Sequence, residues 1–197
     1  MGITAIFGGT FNPLHIGHYE IISALQNMNE IDKILILPDR IPPHKLCDFL
    51  VEDDTRIEMC RIAANDFPKA EVCLLEFERK GKSYTYDTVI QLKNKYPDTN
   101  FAFVLGGDML VFFDKWYNYK ELMKLLPFIV FKRTDTDEIY FKECINNLKN
   151  MGMSITVMKE RITTVSSTII RNGFQNSKEL LPPKIYEFLK EKGEYLV

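Results

Sequence analysis

Apolar residues recur along this chain in two alternating rhythms. Short runs dense in β-branched and aromatic residues, Ile3–Phe7, Lys33–Leu37, Val72–Leu75, Phe101–Leu105, Phe128–Phe131 and Ser154–Val157, read as strands buried on both faces. Between them, apolar positions spaced three and four apart predict helices over Gly17–Met28, Asp54–Asn65, Tyr86–Tyr96, Tyr119–Leu126 and Glu138–Met151. Repeated strand–helix alternation predicts a parallel sheet with helices on both sides, a doubly wound α/β fold. Residues 163–197 show no strand pattern and predict two short helices, Ser167–Asn172 and Pro183–Glu191, as a small helical C-terminal segment packed back on one domain.

Composition leaves that picture standing and narrows the partners. Over 197 residues, 46% hydrophobic and 26% charged is ordinary for a globular protein. The 25 Lys and Arg against 27 Asp and Glu leave a formal charge of -2. No general attraction to duplex nucleic acid or an anionic membrane follows, so neither is an expected partner, and an anionic ligand must be held by local groups. The opening Met1-Gly2-Ile3-Thr4-Ala5-Ile6-Phe7 has no basic stretch and runs into glycines, so it does not read as a signal peptide. Cys47, Cys60, Cys73 and Cys144 are widely spaced without a CxxC pair. That argues against a zinc ribbon or a redox pair and for reduced thiols in a cytoplasmic protein.

The unusual chemistry begins where the first strand ends, in Gly8-Gly9-Thr10-Phe11-Asn12-Pro13-Leu14-His15-Ile16-Gly17-His18. Gly8 and Gly9 would let the backbone turn tightly and approach a ligand, Thr10 offers a hydroxyl, and Pro13 stiffens the loop. If helical, His15 and His18 share one face near a helix N-terminus, where the dipole favours an anion. The pattern predicts two imidazoles aimed at one phosphate. A zinc site would need further ligands, and the only other histidine is His44. A dinucleotide fingerprint would need a third glycine at the GxGxxG spacing, which is missing.

A second cluster, Thr163-Thr164-Val165-Ser166-Ser167-Thr168-Ile169-Ile170-Arg171, places hydroxyls where a short helix should begin. Ser166 or Ser167 can cap that helix, and Arg171, one turn on, can fork onto phosphate oxygens, although a plain cap with a surface arginine fits the segment alone equally well. In mid-chain, Asp108 follows a strand and can accept from ribose hydroxyls or cap a helix. Trp116 offers a flat stacking face or a core aromatic. Lys45, after two prolines and His44, is a phosphate partner or solvated surface.

The first cluster resembles the HxGH signature of the nucleotidylyltransferase superfamily in its GGTFNPxHxGH form, and the second resembles the same superfamily's ISSTxIR element, with Val165 in place of isoleucine. Class I aminoacyl-tRNA synthetases carry a similar HIGH element but need a KMSKS loop, which is not found here. Pro38-Asp39-Arg40-Ile41-Pro42-Pro43-His44-Lys45, Ser83-Tyr84-Thr85-Tyr86-Asp87-Thr88, Gly106-Gly107-Asp108 and Trp116-Tyr117 are similar to elements of bacterial nicotinate mononucleotide adenylyltransferases, in that family's order.

The resemblance implies a Rossmann-like nucleotidyltransferase fold and adenylyl transfer from ATP to nicotinate mononucleotide. By resemblance, His15, His18 and Arg171 carry catalysis, and ATP lies on Gly8, Gly9, Thr10, Phe11, both histidines, Gly106, Asp108, Ser166, Thr168 and Arg171. The mononucleotide lies on Asn12, Lys45, Thr85, Asp108, Trp116, Tyr117 and Arg133. Magnesium is expected on the triphosphate, with no protein-built metal site. The chain departs from the family at Arg133-Thr134-Asp135, where Arg-Pro-Gly is common, which puts the backbone geometry at Arg133 in question. Nicotinamide mononucleotide or phosphopantetheine as acceptor, or a non-catalytic nucleotide-binding regulator, are the alternatives, and self-association into a homodimer stays open.

Overall fold

The computed structural model describes residues 2–42 and 49–195. Six parallel strands, β1 (Ile3–Gly9), β2 (Ile31–Pro38), β3 (Ala70–Val72), β4 (Asn100–Gly106), β5 (Phe128–Arg133) and β6 (Ile155–Ile162), lie in the order β3-β2-β1-β4-β5-β6. The chain winds outward in one direction from β1 and then returns to start the other half at β4. That reversal opens a crevice at the carboxyl ends of β1 and β4, the usual ligand position in such sheets.

Successive residues of the central strands feed two separate cores. Ala5, Phe7, Ile34, Ile36, Ala102 and Val104 face one side with α1 (Ile16–Gln26) and α2 (Asp53–Asn65), whereas Ile6, Leu35, Leu37, Phe103 and Leu105 face the other with α3 (Thr85–Lys95). A short α4 (Gly107–Leu110), α5 (Tyr119–Leu125) and α6 (Glu138–Asn150) complete that second layer. Near the C-terminus, α7 (Ser167–Asn172) and α8 (Pro183–Lys192) bury Ile170, Ile185 and Leu189 in the first core.

The edges differ from the expectation of strands buried on both faces. β6 is longer than Ser154–Val157 and exposes Thr156, Lys159, Glu160 and Arg161, because β5 is its one neighbour in the sheet. β3 lies earlier than Val72–Leu75. Its ladder with β2 donates from Ile34 to the Lys69 carbonyl at 2.8 Å and advances two residues per rung, so residue 38 is due to donate opposite residue 73. Residue 38 is a proline without an N–H, and the chain turns at Leu74–Phe77 instead. The four-residue α4 had no periodicity long enough to predict it.

Candidate active site

β1 continues through Gly8 and Gly9, which pair with Leu37 and Pro38, so the glycines are strand and not the turn expected of them. Close packing explains them better: a Cβ on Gly9 would stand 3.0 Å from the Phe11 ring, and one on Gly8 3.4 Å from Phe103. The turn falls at Phe11, whose φ is 49°, followed by a cis Asn12–Pro13 peptide. Phe11 is buried and sets its ring edge-on to His18 at 5.1 Å.

His15 is the N-cap of α1 and only His18 is helical, yet the two imidazoles still meet, stacked 3.6 Å apart at 17°. The His18 amide donates to His15 Nδ1 at 3.4 Å, and the His15 amide donates to His18 Nδ1 at 3.2 Å. This is a capping box built from imidazoles, in which each ring accepts the orphan amide of the other residue. With Nδ1 accepting, the proton of each neutral ring sits on Nε2, the atom that can donate to a phosphate oxygen.

Facing this pair, α7 is capped by Ser166, whose Oγ accepts from the Ile169 amide at 3.3 Å. Ser167 Oγ donates to the Pro13 carbonyl at 2.9 Å, and Arg171 donates to the Asn12 carbonyl at 2.7 Å and to Thr168 Oγ1 at 3.1 Å. The two ends of the sequence thus close on one another through the loop between β1 and α1. Asn12 itself is buried, its side chain engaged by Phe49, Val51 and Tyr195.

Across the crevice, β4 ends at Gly106 and Asp108 follows on α4. A Cβ on Gly106 would lie 2.5 Å from Asp108 Oδ1, so only glycine admits that carboxylate position. Arg133, at the end of β5, donates to Asp108 Oδ2 at 3.0 Å and to the Val165 carbonyl at 2.6 Å. The missing Pro-Gly is replaced by side-chain bonds: the Arg133 amide donates to Thr136 Oγ1 at 2.9 Å, and Thr134 and Thr164 share a hydroxyl contact of 3.0 Å. Arg133 therefore keeps a defined place in the wall.

At the far end, α3 begins at Thr85, and its N-cap residue Tyr84 makes no side-chain capping bond. Trp116 stands edge-on to Phe103 at 6.1 Å and tilted to Phe113 at 5.4 Å, and Tyr117, 47% exposed, lies 4.6 Å from the ring of Tyr84. One cavity of about 280 Å³ is lined by the predicted residues from Gly8 to His18, by Thr85, Asp108, Trp116, Tyr117 and Arg133, and by Ser166, Thr168 and Arg171. Lys45 lies outside the described residues. Among the described residues no group of three or more His, Cys, Asp or Glu is placed to hold a metal ion.

Sequence reasoning missed the support beneath the loop. Arg56 is fully buried and donates to the carbonyls of Thr10 (3.2 Å), Asp39 and Arg40 (3.3 Å) and to the Asp53 carboxylate. Asp39 lines the cavity and accepts from Thr10 Oγ1 at 3.2 Å. The signal was present, since Arg56 shares the apolar stripe of α2 with Met59, Cys60 and Ala63, where an arginine is buried only if something pairs it.

A cytidylyltransferase-like family model matches residues 6–173. The chain belongs to that family. Its similarity to a Listeria welshimeri protein named "Probable nicotinate-nucleotide adenylyltransferase" is 36% identity over 190 residues, covering 96% of this chain and 95% of the relative. A Bacillus cytotoxicus protein of the same name is 35% identical over 193 residues, with 96% of each chain covered. Among solved structures, a Plasmodium falciparum nicotinic acid mononucleotide adenylyltransferase complexed with NaAD superposes with a TM-score of 0.79 at 20% identity, covering 99% of this chain and 98% of that one. Both walls of the cavity fall inside the cytidylyltransferase-like span, whereas α8 lies beyond it.

Proposed function

We propose that the protein transfers the adenylyl group of ATP to nicotinate mononucleotide, giving deamido-NAD and pyrophosphate for NAD synthesis. The observation that carries this is a single cavity with two unlike ends: stacked imidazoles facing Arg171 at one, the start of α3 beside Trp116 and Tyr117 at the other. The names of the relatives support the same acceptor.

An oxygen of the mononucleotide 5′-phosphate attacks the α-phosphorus of ATP. The new P–O bond forms as the bond to the bridging oxygen breaks, and pyrophosphate leaves with that electron pair. The attacking phosphate is already ionised, so no protein nucleophile is needed, and catalysis is positioning and charge stabilisation. His15 and His18 donate from Nε2 to the transferring phosphate, and Arg171, Ser166 and Thr168 hold the remaining phosphates. Asp108 accepts from ribose, Arg133 lies beside it on the acceptor side, and Trp116 stacks on the pyridine. Magnesium enters with ATP as part of the substrate, carried by phosphate oxygens and water, and neutralises charge on the triphosphate.

The amides of Thr85 and Tyr117 receive the pyridine carboxylate. Donors there leave the NH2 of a nicotinamide facing donors, so the acid should be favoured about a hundredfold or more in kcat/KM. The four cysteines are widely spaced without a CxxC pair, which supports reduced thiols, and we place the enzyme in the cytoplasm on that ground. The test is a panel of nicotinate mononucleotide, nicotinamide mononucleotide and phosphopantetheine with ATP and magnesium, scoring adenylylated product and pyrophosphate. Turnover with nicotinate mononucleotide far above the others is expected; equal turnover of acid and amide defeats the donor argument, and no pyrophosphate with any acceptor defeats the enzymatic reading.

A further inference from the structure

The imidazole wall and the Arg171 wall come from opposite ends of the sequence, and outside the cavity one side chain joins them. Glu20 lies on α1 one helical turn after Gly17, on the same face. Its carboxylate accepts from the Thr163 amide at 2.6 Å and from the Thr163 hydroxyl at 2.7 Å. Gly17 completes the seat, because a Cβ there would stand 3.0 Å from the Thr163 carbonyl oxygen. The helix that carries His18 is thereby pressed onto Thr163 by a bare backbone and held by two charge-assisted bonds.

Between Thr163 and the cap of α7 there is little slack. Thr164 Oγ1 donates to Asp135 at 2.5 Å, and Val165 is buried with its carbonyl accepting from Arg133 at 2.6 Å. Ser166 then caps the helix that bears Thr168 and Arg171. A displacement at Thr163 is therefore passed on to the groups that face the imidazoles.

We propose that Glu20 is a positioning residue that sets the spacing between the imidazole pair and the phosphate-holding start of α7. The proposal rests on the adenylyl-transfer reading of the cavity, in which one triphosphate must touch both walls together. Among the described residues, neither Glu20 nor Thr163 lines the cavity, so the effect runs through His15, His18 and Arg171. The pyridine end, on α3 and Trp116, lies outside these bonds, and Arg133, which holds the Val165 carbonyl, is also fixed by Asp108, so the mononucleotide should sense the change far less than ATP.

The test compares Glu20→Ala, Glu20→Gln and Thr163→Val in the full chain, by steady-state kinetics with ATP, magnesium and nicotinate mononucleotide and by titration with α,β-methylene-ATP and magnesium. Glu20→Ala should lower kcat roughly tenfold or more, on the scale of a small misplacement of reacting groups, and weaken the analogue several-fold, with KM for the mononucleotide within about twofold. Glu20→Gln should retain most turnover, because its carbonyl accepts the Thr163 amide and its NH2 donates to the hydroxyl. Combining Glu20→Ala with Thr163→Val should cost no more than Glu20→Ala alone. Unchanged kcat and analogue affinity in Glu20→Ala, equal losses toward both substrates, or a glutamine variant as poor as alanine would each overturn the proposal. Should Glu20→Ala fail to fold, Thr163→Val must show the same ATP-sided asymmetry in smaller measure, and a symmetric loss overturns the idea. A parent protein that binds the analogue but forms no dinucleotide defeats adenylyl transfer, while the analogue titration still decides the clasp.

Discussion

At the end of the cavity proposed to take the phosphates the polar groups are already organised by the fold, whereas at the proposed acceptor end much of what could bind is still presented to solvent. His15 and His18 cap each other's amides, Ser166 caps α7, and Arg171 is anchored on the Asn12 carbonyl. By contrast, Tyr84 does not cap α3 with its side chain, Tyr117 is half exposed, and Arg133 is ion-paired to Asp108, a residue proposed to take ribose. Groups that stabilise a transition state gain most when they need no reorganisation at the moment of reaction. Groups that select a substrate can instead exchange water or an internal partner for it. On the proposed reading, the difference separates a preorganised chemical end from an adaptable recognition end.

The largest expected effect comes from breaking the preorganised end. His18→Ala should lower kcat at least about a hundredfold, the scale of removing one oxyanion donor. It also removes the acceptor of the His15 amide, so the melting temperature should fall by a few degrees, as for loss of a helix cap of about 1 kcal/mol. A folded variant by circular dichroism with near-normal turnover would take His18 out of the chemistry.

Arg171→Lys keeps the charge and loses the fork. It should raise KM for ATP roughly tenfold, the worth of one charged hydrogen bond, while leaving the mononucleotide nearly untouched. If the mononucleotide constant moves and the ATP constant stays, the two ends have been assigned the wrong way round.

At the recognition end, Trp116→Ala should raise KM several-fold for acid and amide acceptors alike, within the roughly 1–3 kcal/mol of aromatic stacking on a base. Stacking reads the ring and not its substituent, so the acid preference should survive. Loss of one acceptor alone would show that the indole also contributes to discrimination.

The smallest effect serves as a control at residues that do not line the cavity. Asp66 accepts from Tyr19 and Lys184, and the Lys184 ammonium and the Tyr19 hydroxyl hold its carboxyl below its ordinary value. A carboxylate so depressed stabilises the fold above its unfolded pKa, and the contribution is lost as pH falls through the folded value. Asp66→Asn should therefore lower the melting temperature by about 2 °C at pH 7, the scale of an exposed ion pair, with the gap closing in acid and with unchanged kinetic constants. A gap that persists at low pH would remove the ion pair as its cause.

Much of this was legible in the chain itself. Runs such as Phe101–Leu105 and stripes such as Ile21, Ile22 and Leu25 carry their period openly, the cluster around His15–His18 suggests phosphate binding from residue type and spacing, and the cluster Ser166–Arg171 does so only through its resemblance to a family element. Expectations failed where the deciding partner lies far away in sequence. Gly8 looks like part of a turn until Phe103, from β4, occupies the space beside it. β3 stops early because its neighbour offers a proline. Arg56 is buried because carbonyls of two other segments, at Thr10 and at Asp39 and Arg40, converge on it, and Glu20 meets its partner Thr163 from the other end of the chain. The sequence by itself determined the alternation of strands and helices, the sheet class and the types of polar group available at the two ends, since those depend on local period and residue type. Only the tertiary structure decided which groups share the cavity and how its two walls are held in register, because hydrogen bonds and close approaches between segments more than a hundred residues apart leave no local period to read.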